Sequence, residues 1–257
     1  LHRVLGRHAL KGLFFGALLY GASLLARPGQ ADPVKILPLG DSITQGNHQT
    51  QSYRYPLWKK LVDAGVDFQF VGSQDSNVEG RNPQWPDHGG KAFDRRHEGH
   101  WGWHTDLFLQ DETLRSWLKN YTPDIVLMHV GTNDMFRRSS IEETVIKQKR
   151  IIELLRQDNP KVAILLARLI PSTSEQNAQI SKLNEQTGEI AAAMTSPDSP
   201  VIVVDQNSGF NPAVGADTYD GTHPNAAGEE KMAQRWFDAI RKVLEKSAPK
   251  PAENNGP

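Results

Sequence analysis

Five short apolar runs recur along this chain, alternating with amphipathic segments, and that alternation limits its fold more than any other feature. The runs are residues 34–40 (VKILPLG), 67–73 (DFQFVGS), 124–131 (DIVLMHVG), 162–170 (VAILLARLI) and 201–205 (VIVVD). Most are nearly continuous in apolar residues, the mark of strands covered on both faces. Between them, residues 53–64, 106–120, 141–157, 175–194 and 225–245 are patterned as helices. In the third of these, Ile141, Val145, Ile151, Ile152, Leu154 and Leu155 recur near helical spacing, with charged residues between them. Strands alternating with helices predict right-handed crossovers and a parallel sheet layered by helices on both sides. One doubly wound α/β domain absorbs all five strands.

The segment before the first strand follows a different rule. Arg3, Arg7 and Lys11 precede an uncharged run of 15 residues, 12–26 (GLFFGALLYGASLLA), and then comes Arg27-Pro28-Gly29-Gln30-Ala31. A basic start, a short apolar stretch and small residues near its end predict a secretory signal peptide over residues 1–31, cut after Ala31. Fifteen helical residues rise about 22 Å, less than the ~30 Å of a hydrocarbon core, so a lasting membrane span is disfavoured. The expected product is extracellular, with a domain over 32–246 and a tail over 247–257 (SAPKPAENNGP).

Charge and cysteine content remove several classes. The chain has 29 basic and 30 acidic residues, and after Ala31 there are 25 basic against 30 acidic, a net of −5. A body of that sign does not attract nucleic acid or anionic lipid, and no basic stripe offsets it. With no cysteine, disulfides, thiolate metal sites and cysteine nucleophiles are all excluded.

Three segments carry chemistry. Ser42, in Leu39-Gly40-Asp41-Ser42-Ile43-Thr44, falls just past the carboxyl end of the first strand, where open α/β sheets place their ligands. Alone, such a residue is often only a turn or a helix cap. His223 stands in Asp220-Gly221-Thr222-His223-Pro224-Asn225 before the last amphipathic segment, and Pro224 suits a first helical turn. An imidazole can take a serine proton near neutral pH, and an aspartate three residues back can fix its tautomer. After the third strand, Gly131-Thr132-Asn133-Asp134 offers a tight turn and, at Asn133, a side-chain N–H for a developing oxyanion, although Asx turns look the same. Their conjunction on strand-end and helix-start loops of one sheet points to acyl transfer.

In that order, GDSIT at 40–44, GTND at 131–134 and DGTHP at 220–224 resemble the blocks of the SGNH (GDSL-type) hydrolase superfamily. The resemblance implies a three-layer α/β/α, flavodoxin-like fold with a five-stranded parallel sheet in the order 2-1-3-4-5. It also implies Ser42 as nucleophile, His223 as base and Asp220 as its partner. The implied oxyanion hole takes the N–H of Ser42, the side chain of Asn133 and the N–H of a second-block glycine. Gly102, in Glu98-Gly99-His100-Trp101-Gly102-Trp103, is the choice, with Gly99 the competitor. The GxSxG elbow of other α/β hydrolases appears nowhere. Within the superfamily, HEGHWGW, HVGTNDM and DGTHPNAAG look most like acetylxylan esterases of carbohydrate esterase family three, which implies an acetylated polysaccharide or another small acyl ester as substrate. No cofactor and no metal enter that mechanism.

Residues 74–102 have no sustained period, and a loop of that length in a compact domain is usually functional or disordered. Folded over the site, it would carry Gly102 to the oxyanion. His88, His97, His100 and His104 cluster there, but a zinc site needs three ligands with ordered support, and loop hydrogen bonding is the better account. His129, inside a strand, reads as a satisfied core histidine. Trp101 and Trp103, with Trp85, could stack on sugar at the rim or pack the loop, whereas Trp58 and Trp236 read as core. Arg54 and Asp134 are expected to stabilise the site. Two other functions fit less well. A lipolytic esterase or thioesterase would need a wide apolar groove, and a noncatalytic glycan-binding module would not need Ser42, Asn133, Asp220 and His223 intact.

Overall fold

The computed structural model describes residues 32–247. The expected signal peptide at 1–31, and all of the expected tail beyond Ser247, lie outside them. β1 (Val34–Gly40) is hydrogen-bonded along both edges. One edge pairs in parallel with β4 (Ile125–His129) over Ile36 to Gly40. The other pairs with β2 (Phe68–Phe70) over Val34 to Ile36, and then with β3 (Glu98–Gly99) at Leu39 and Gly40. β5 (Ala163–Arg168) and β6 (Val201–Asp205) continue the sheet beyond β4. The order is β2-β1-β4-β5-β6. Without the two-residue β3 this is the expected five-stranded 2-1-3-4-5 arrangement.

Alternate residues of each strand serve opposite layers, because successive side chains leave a strand on opposite faces. Ile36, Ile125, Leu127, Ala163 and Leu165 pack with Leu57, Trp58 and Leu61 of α2 (Arg54–Asp63) and with Met232, Trp236 and Ile240 of α8 (Ala226–Ser247). Leu37, Leu39, Val126, Met128, Ile164 and Leu166 pack with residues of α3 (Thr105–Leu109), α4 (Thr113–Leu118), α6 (Ile141–Asp158) and α7 (Asn177–Met194). Two further helices, α1 (Ser42–Gln45) and α5 (Thr132–Phe136), follow β1 and β4 directly and are too short to leave a period in the sequence.

Three sequence expectations shift. The strand over 67–73 shortens to three residues, because beyond Val71 the chain turns to the returning loop: the Ser73 N–H bonds Glu98, and Gln74 pairs antiparallel with His97. The helix over 106–120 breaks into α3 and α4, since Asp111 and Glu112 adopt left-handed φ of 49° and 58° and end the right-handed helix. Residues 74–102, read as lacking regular structure, contain the short turn Val78–Gly80 and β3.

Trp58 and Trp236 are core residues as expected, at 3% and 0% exposure. Trp236 is among the largest fully buried side chains and contacts Tyr53 at 6.2 Å between centroids. Trp236→Ala should cost about 3–5 kcal/mol of unfolding free energy, measured by urea denaturation, with an unchanged slope. A loss under about 1 kcal/mol would mean that the α8 layer does not depend on this packing.

Candidate active site

The site is assembled where β1 ends. Gly40 comes so close to its surroundings that a Cβ there would lie 2.3 Å from Thr44 Oγ1 and 2.7 Å from the His129 carbonyl. The chain then turns immediately into α1, with Asp41 as N-cap accepting the Ile43 N–H at 3.0 Å. Ser42 is the first residue of that helix, so its own N–H has no acceptor within the helix. Four residues leave α1 with carbonyls that nothing inside the helix can satisfy. Arg54 supplies the donors: Nε to Thr44 O at 2.9 Å and Nη2 to Gln45 O at 2.9 Å.

His223 arrives from the other end of the chain. Its Nε2 lies 2.9 Å from Ser42 Oγ, and its Nδ1 lies 2.7 Å from Asp220 Oδ2. The second Asp220 oxygen accepts the N–H groups of Thr222 and His223, at 3.0 and 2.7 Å. Burial alone would raise the Asp220 carboxyl, but the hydrogen bonds from His223 and Thr222 and the nearby imidazole hold it below the ordinary carboxylate range. An ionised carboxylate on Nδ1 leaves Nε2 as acceptor for the serine proton. Pro224 lies outside the first helical turn where the sequence places it. Asn225 is the cap instead, its Oδ1 accepting from Ala227 and Gly228, while Pro224 bridges to Thr218.

Asn133, the second residue of α5, donates one amide hydrogen to the Trp103 carbonyl at 2.9 Å. An amide NH2 has two hydrogens, so a second donor remains. Trp103 follows Gly102, which occupies the third position of a turn closed by Trp103 N–H to His100 O at 3.1 Å, with φ +77°. The N–H of Gly99, by contrast, is engaged with His97 Nδ1 at 2.9 Å. Trp101 lies on His223 with ring centroids 4.7 Å apart and planes 16° from parallel. Trp103 packs inward against His100 at 4.2 Å, Trp117 at 5.6 Å and Phe108 at 5.2 Å. Trp85 meets Phe93 at 5.2 Å.

The loop histidines each have a partner of their own. His88 bonds Asp63, His97 bonds Ser76 O and the Gly99 N–H, His100 bonds Glu98, and His104 approaches Asp106. Among the described residues, no three His, Cys, Asp or Glu side chains are placed to hold a metal. His129 is fully buried as expected, yet only its Nε2 is engaged, weakly, by the Ile170 N–H at 3.4 Å; burial lowers its pKa to about 4.

Sequence reading missed several supporting residues. Glu98, fully buried, accepts from Ser73 N–H and Oγ, the Tyr121 hydroxyl and His100. Gln45 Oε1 accepts the Trp101 N–H at 2.7 Å, and Tyr219 stacks on His223 at 5.7 Å. No pattern in a single sequence marks such contacts, because Ser73 and Tyr121 are 25 and 23 residues from Glu98, and Trp101 is 56 from Gln45. Arg54 and Asp134, expected to stabilise the site, do touch its framework: Asp134 accepts the Thr105 N–H and hydroxyl at the start of α3.

The sequence pattern of the GDSL-like lipase/acylhydrolase family matches residues 39–231, from the end of β1 to beyond His223. The chain belongs to this family. It is similar to a multidomain esterase from Ruminococcus flavefaciens, 31% identical over 232 residues, or 84% of this chain and 30% of that protein. Its structure resembles a carbohydrate esterase family 3 protein from Talaromyces cellulolyticus (27% identity, TM-score 0.73, 84% of this chain and 100% of that one). A family 3 carbohydrate esterase from Clostridium thermocellum is similar too (26% identity, TM-score 0.69, 85% and 100%). The chain thus spans under a third of the length of the multidomain relative.

Two buried acids flank this framework. Burial raises the Asp41 carboxyl to about 7, against the lowering effect of the Ile43 N–H and the Thr132 hydroxyl. Glu229, in the first turn of α8, is likewise raised by burial to about 7, from an ordinary value of 4.5, although Thr50, Ser52 and Gln51 donate to it. In the unfolded chain this glutamate is already ionised above pH 4.5, whereas in the fold it keeps its proton until about 7. Its contribution to stability is therefore full at low pH and is lost as pH rises through that window. Thermal midpoints should fall between pH 5 and pH 8, and Glu229→Gln should shrink that fall. An identical fall in both proteins would show that Glu229 does not titrate in this way.

Proposed function

We propose that this protein is a serine esterase that removes O-acetyl groups from a carbohydrate, with acetylated xylan as its substrate, and that residues 1–31 direct its export and are removed in the process. The observation that carries the chemistry is the line Ser42 Oγ, His223 Nε2, His223 Nδ1, Asp220 Oδ2, with separations of 2.9 and 2.7 Å at the two contacts. In this reading Ser42 Oγ attacks the acetyl carbonyl carbon while His223 Nε2 takes its proton. The oxyanion is met by the N–H of Ser42, the second amide hydrogen of Asn133 and the N–H of Gly102. His223 returns the proton to the departing sugar oxygen as the C–O bond breaks, leaving acetyl-Ser42. Water, deprotonated by His223, then attacks the acyl group, and acetate leaves as Ser42 recovers its proton.

The family supports the ester chemistry. The likeness to carbohydrate esterases supports the sugar substrate, and the basic-then-apolar start supports export. Among the described residues no helix is long and apolar enough to cross a membrane. The choice of Gly102 over Gly99 is supported by hydrogen bonding, because the Gly99 N–H is already committed to His97.

The decisive experiment compares acetate release from acetylated xylan with hydrolysis of p-nitrophenyl acetate and p-nitrophenyl octanoate. Acetyl substrates should be cleaved and the octanoate poorly, and Ser42→Ala should drop kcat by on the order of 10⁶-fold while leaving the fold intact. Faster turnover of octanoate than acetate would replace the carbohydrate reading by a lipolytic one. Near-normal activity in Ser42→Ala would remove the serine mechanism altogether.

Gly102 offers an independent check. A Cβ there would meet nothing within 4 Å, so the expected harm comes from the backbone: φ +77° disfavours any L side chain, and relaxing it turns the amide. Gly102→Ala should reduce kcat by about 10²-fold, the scale of one lost oxyanion donor, with KM little changed. Full kcat in this variant would take Gly102 out of the oxyanion hole.

A further inference from the structure

The two hydrogen bonds on His223 leave one motion of its ring unrestrained. Asp220 fixes the position of Nδ1 and Ser42 that of Nε2, but a flat ring tethered at two points in its plane can still tilt about the line joining them. What limits such tilt is material against the ring faces, and the structure supplies it. Trp101 lies 16° from parallel with the imidazole at 4.7 Å, and Tyr219 lies 13° from parallel at 5.7 Å. Both contacts are near-parallel stacks, a geometry that also suits the positive charge the imidazole carries once it has taken the serine proton.

Trp101 is not there to fill the core. It is 39% exposed, the largest exposure of any described tryptophan, whereas Trp103 is turned inward onto His100 and Trp117. Nor is it left to the mobility of a long loop. Its backbone N–H is held by Gln45 Oε1 at 2.7 Å, and Gln45 is the last residue of the helix that begins with Ser42. The Gln45 carbonyl is fixed in turn by Arg54 Nη2. The helix that presents the serine thereby also sets the indole that covers the imidazole.

We propose that Trp101 is a positioning residue, keeping the His223 ring aligned with Ser42 by stacking on it, and that Gln45 sets Trp101 in place by capturing its N–H. This rests on the esterase reading above, and it goes beyond the sequence reading, in which Trp101 could stack on sugar at the rim or pack the loop. A platform affects only substrates that reach it. A positioning residue affects every substrate, including one with no sugar.

The test measures kcat and KM of Trp101→Leu, Trp101→Phe and Gln45→Ala on p-nitrophenyl acetate and on acetylated xylan, with Ser42→Ala as the control. It also measures the rate at which a fluorophosphonate probe labels Ser42, which depends on the base but on neither acetyl nor sugar binding. Trp101→Leu should lower kcat by about three- to ten-fold on both substrates, with unchanged KM for the aryl acetate, and slow labelling by a similar factor. Trp101→Phe, which keeps a flat ring, should recover most of both losses, and Gln45→Ala should lose kcat in the same direction as Trp101→Leu. Full kcat and full labelling in Trp101→Leu, with a raised KM for xylan alone, would overturn the proposal and restore the sugar platform. Near-normal activity in Ser42→Ala would instead overturn the serine mechanism on which the proposal rests, so the two failures are distinguishable.

Discussion

A guanidinium with no exposure to water holds the site together. Arg54 is 0% exposed and spends its donors on Thr44 O, Gln45 O, Arg95 O, Ser52 Oγ and Asn77 Oδ1. Those acceptors come from α1, the turn before α2 and both halves of the 74–102 loop. No carboxylate bonds it directly, and burial lowers its pKa to about 10, with Glu229 and Asp94 among the charges that oppose the fall. A buried charge is tolerated when its donors are satisfied, and its removal strands every carbonyl it served. The position of Ser42 thus depends on a residue from the next helix, and so does the path of the loop that reaches the site.

The loop has a second anchor in Glu98. Its four donors come from Ser73, Tyr121 and His100, and its backbone pairs with Leu39 at the end of β1. His100, one bond of this network, donates its own N–H to Gly40 O and forms the stack with Trp103 and Trp117. A segment without sequence periodicity is ordered here by polar contacts and by one strand edge, which β2 leaves open by ending at Phe70. Trp101 protrudes from that anchored base and lies on His223.

The electrostatics divide along the same lines. Asp220 keeps its charge because donors surround it, and this is what a base partner requires. Asp41 and Glu229 sit in drier surroundings and are raised towards neutrality, so they serve as structural groups at the caps of α1 and the start of α8. The contrast among three acids of one framework follows from solvent access and from the number of N–H groups aimed at each.

The sequence by itself was enough for the layers and for the family: unbroken apolar runs require strands buried on both faces, and Ser42, Asn133, Asp220 and His223 stand in blocks whose order and residue types mark that family. Both kinds of signal are local, an unbroken apolar run or a period of 3.6 in one case and a spacing of a few residues in the other. The tertiary structure alone decided what lies beside those groups. The Gly99 N–H is taken up by His97. Trp101 covers the imidazole while Trp103 turns inward, and α3 breaks from α4 at Asp111 and Glu112. Such choices are made by contacts between segments far apart in the chain, and adjacent tryptophans of the same chemistry carry no local mark of which will face the site.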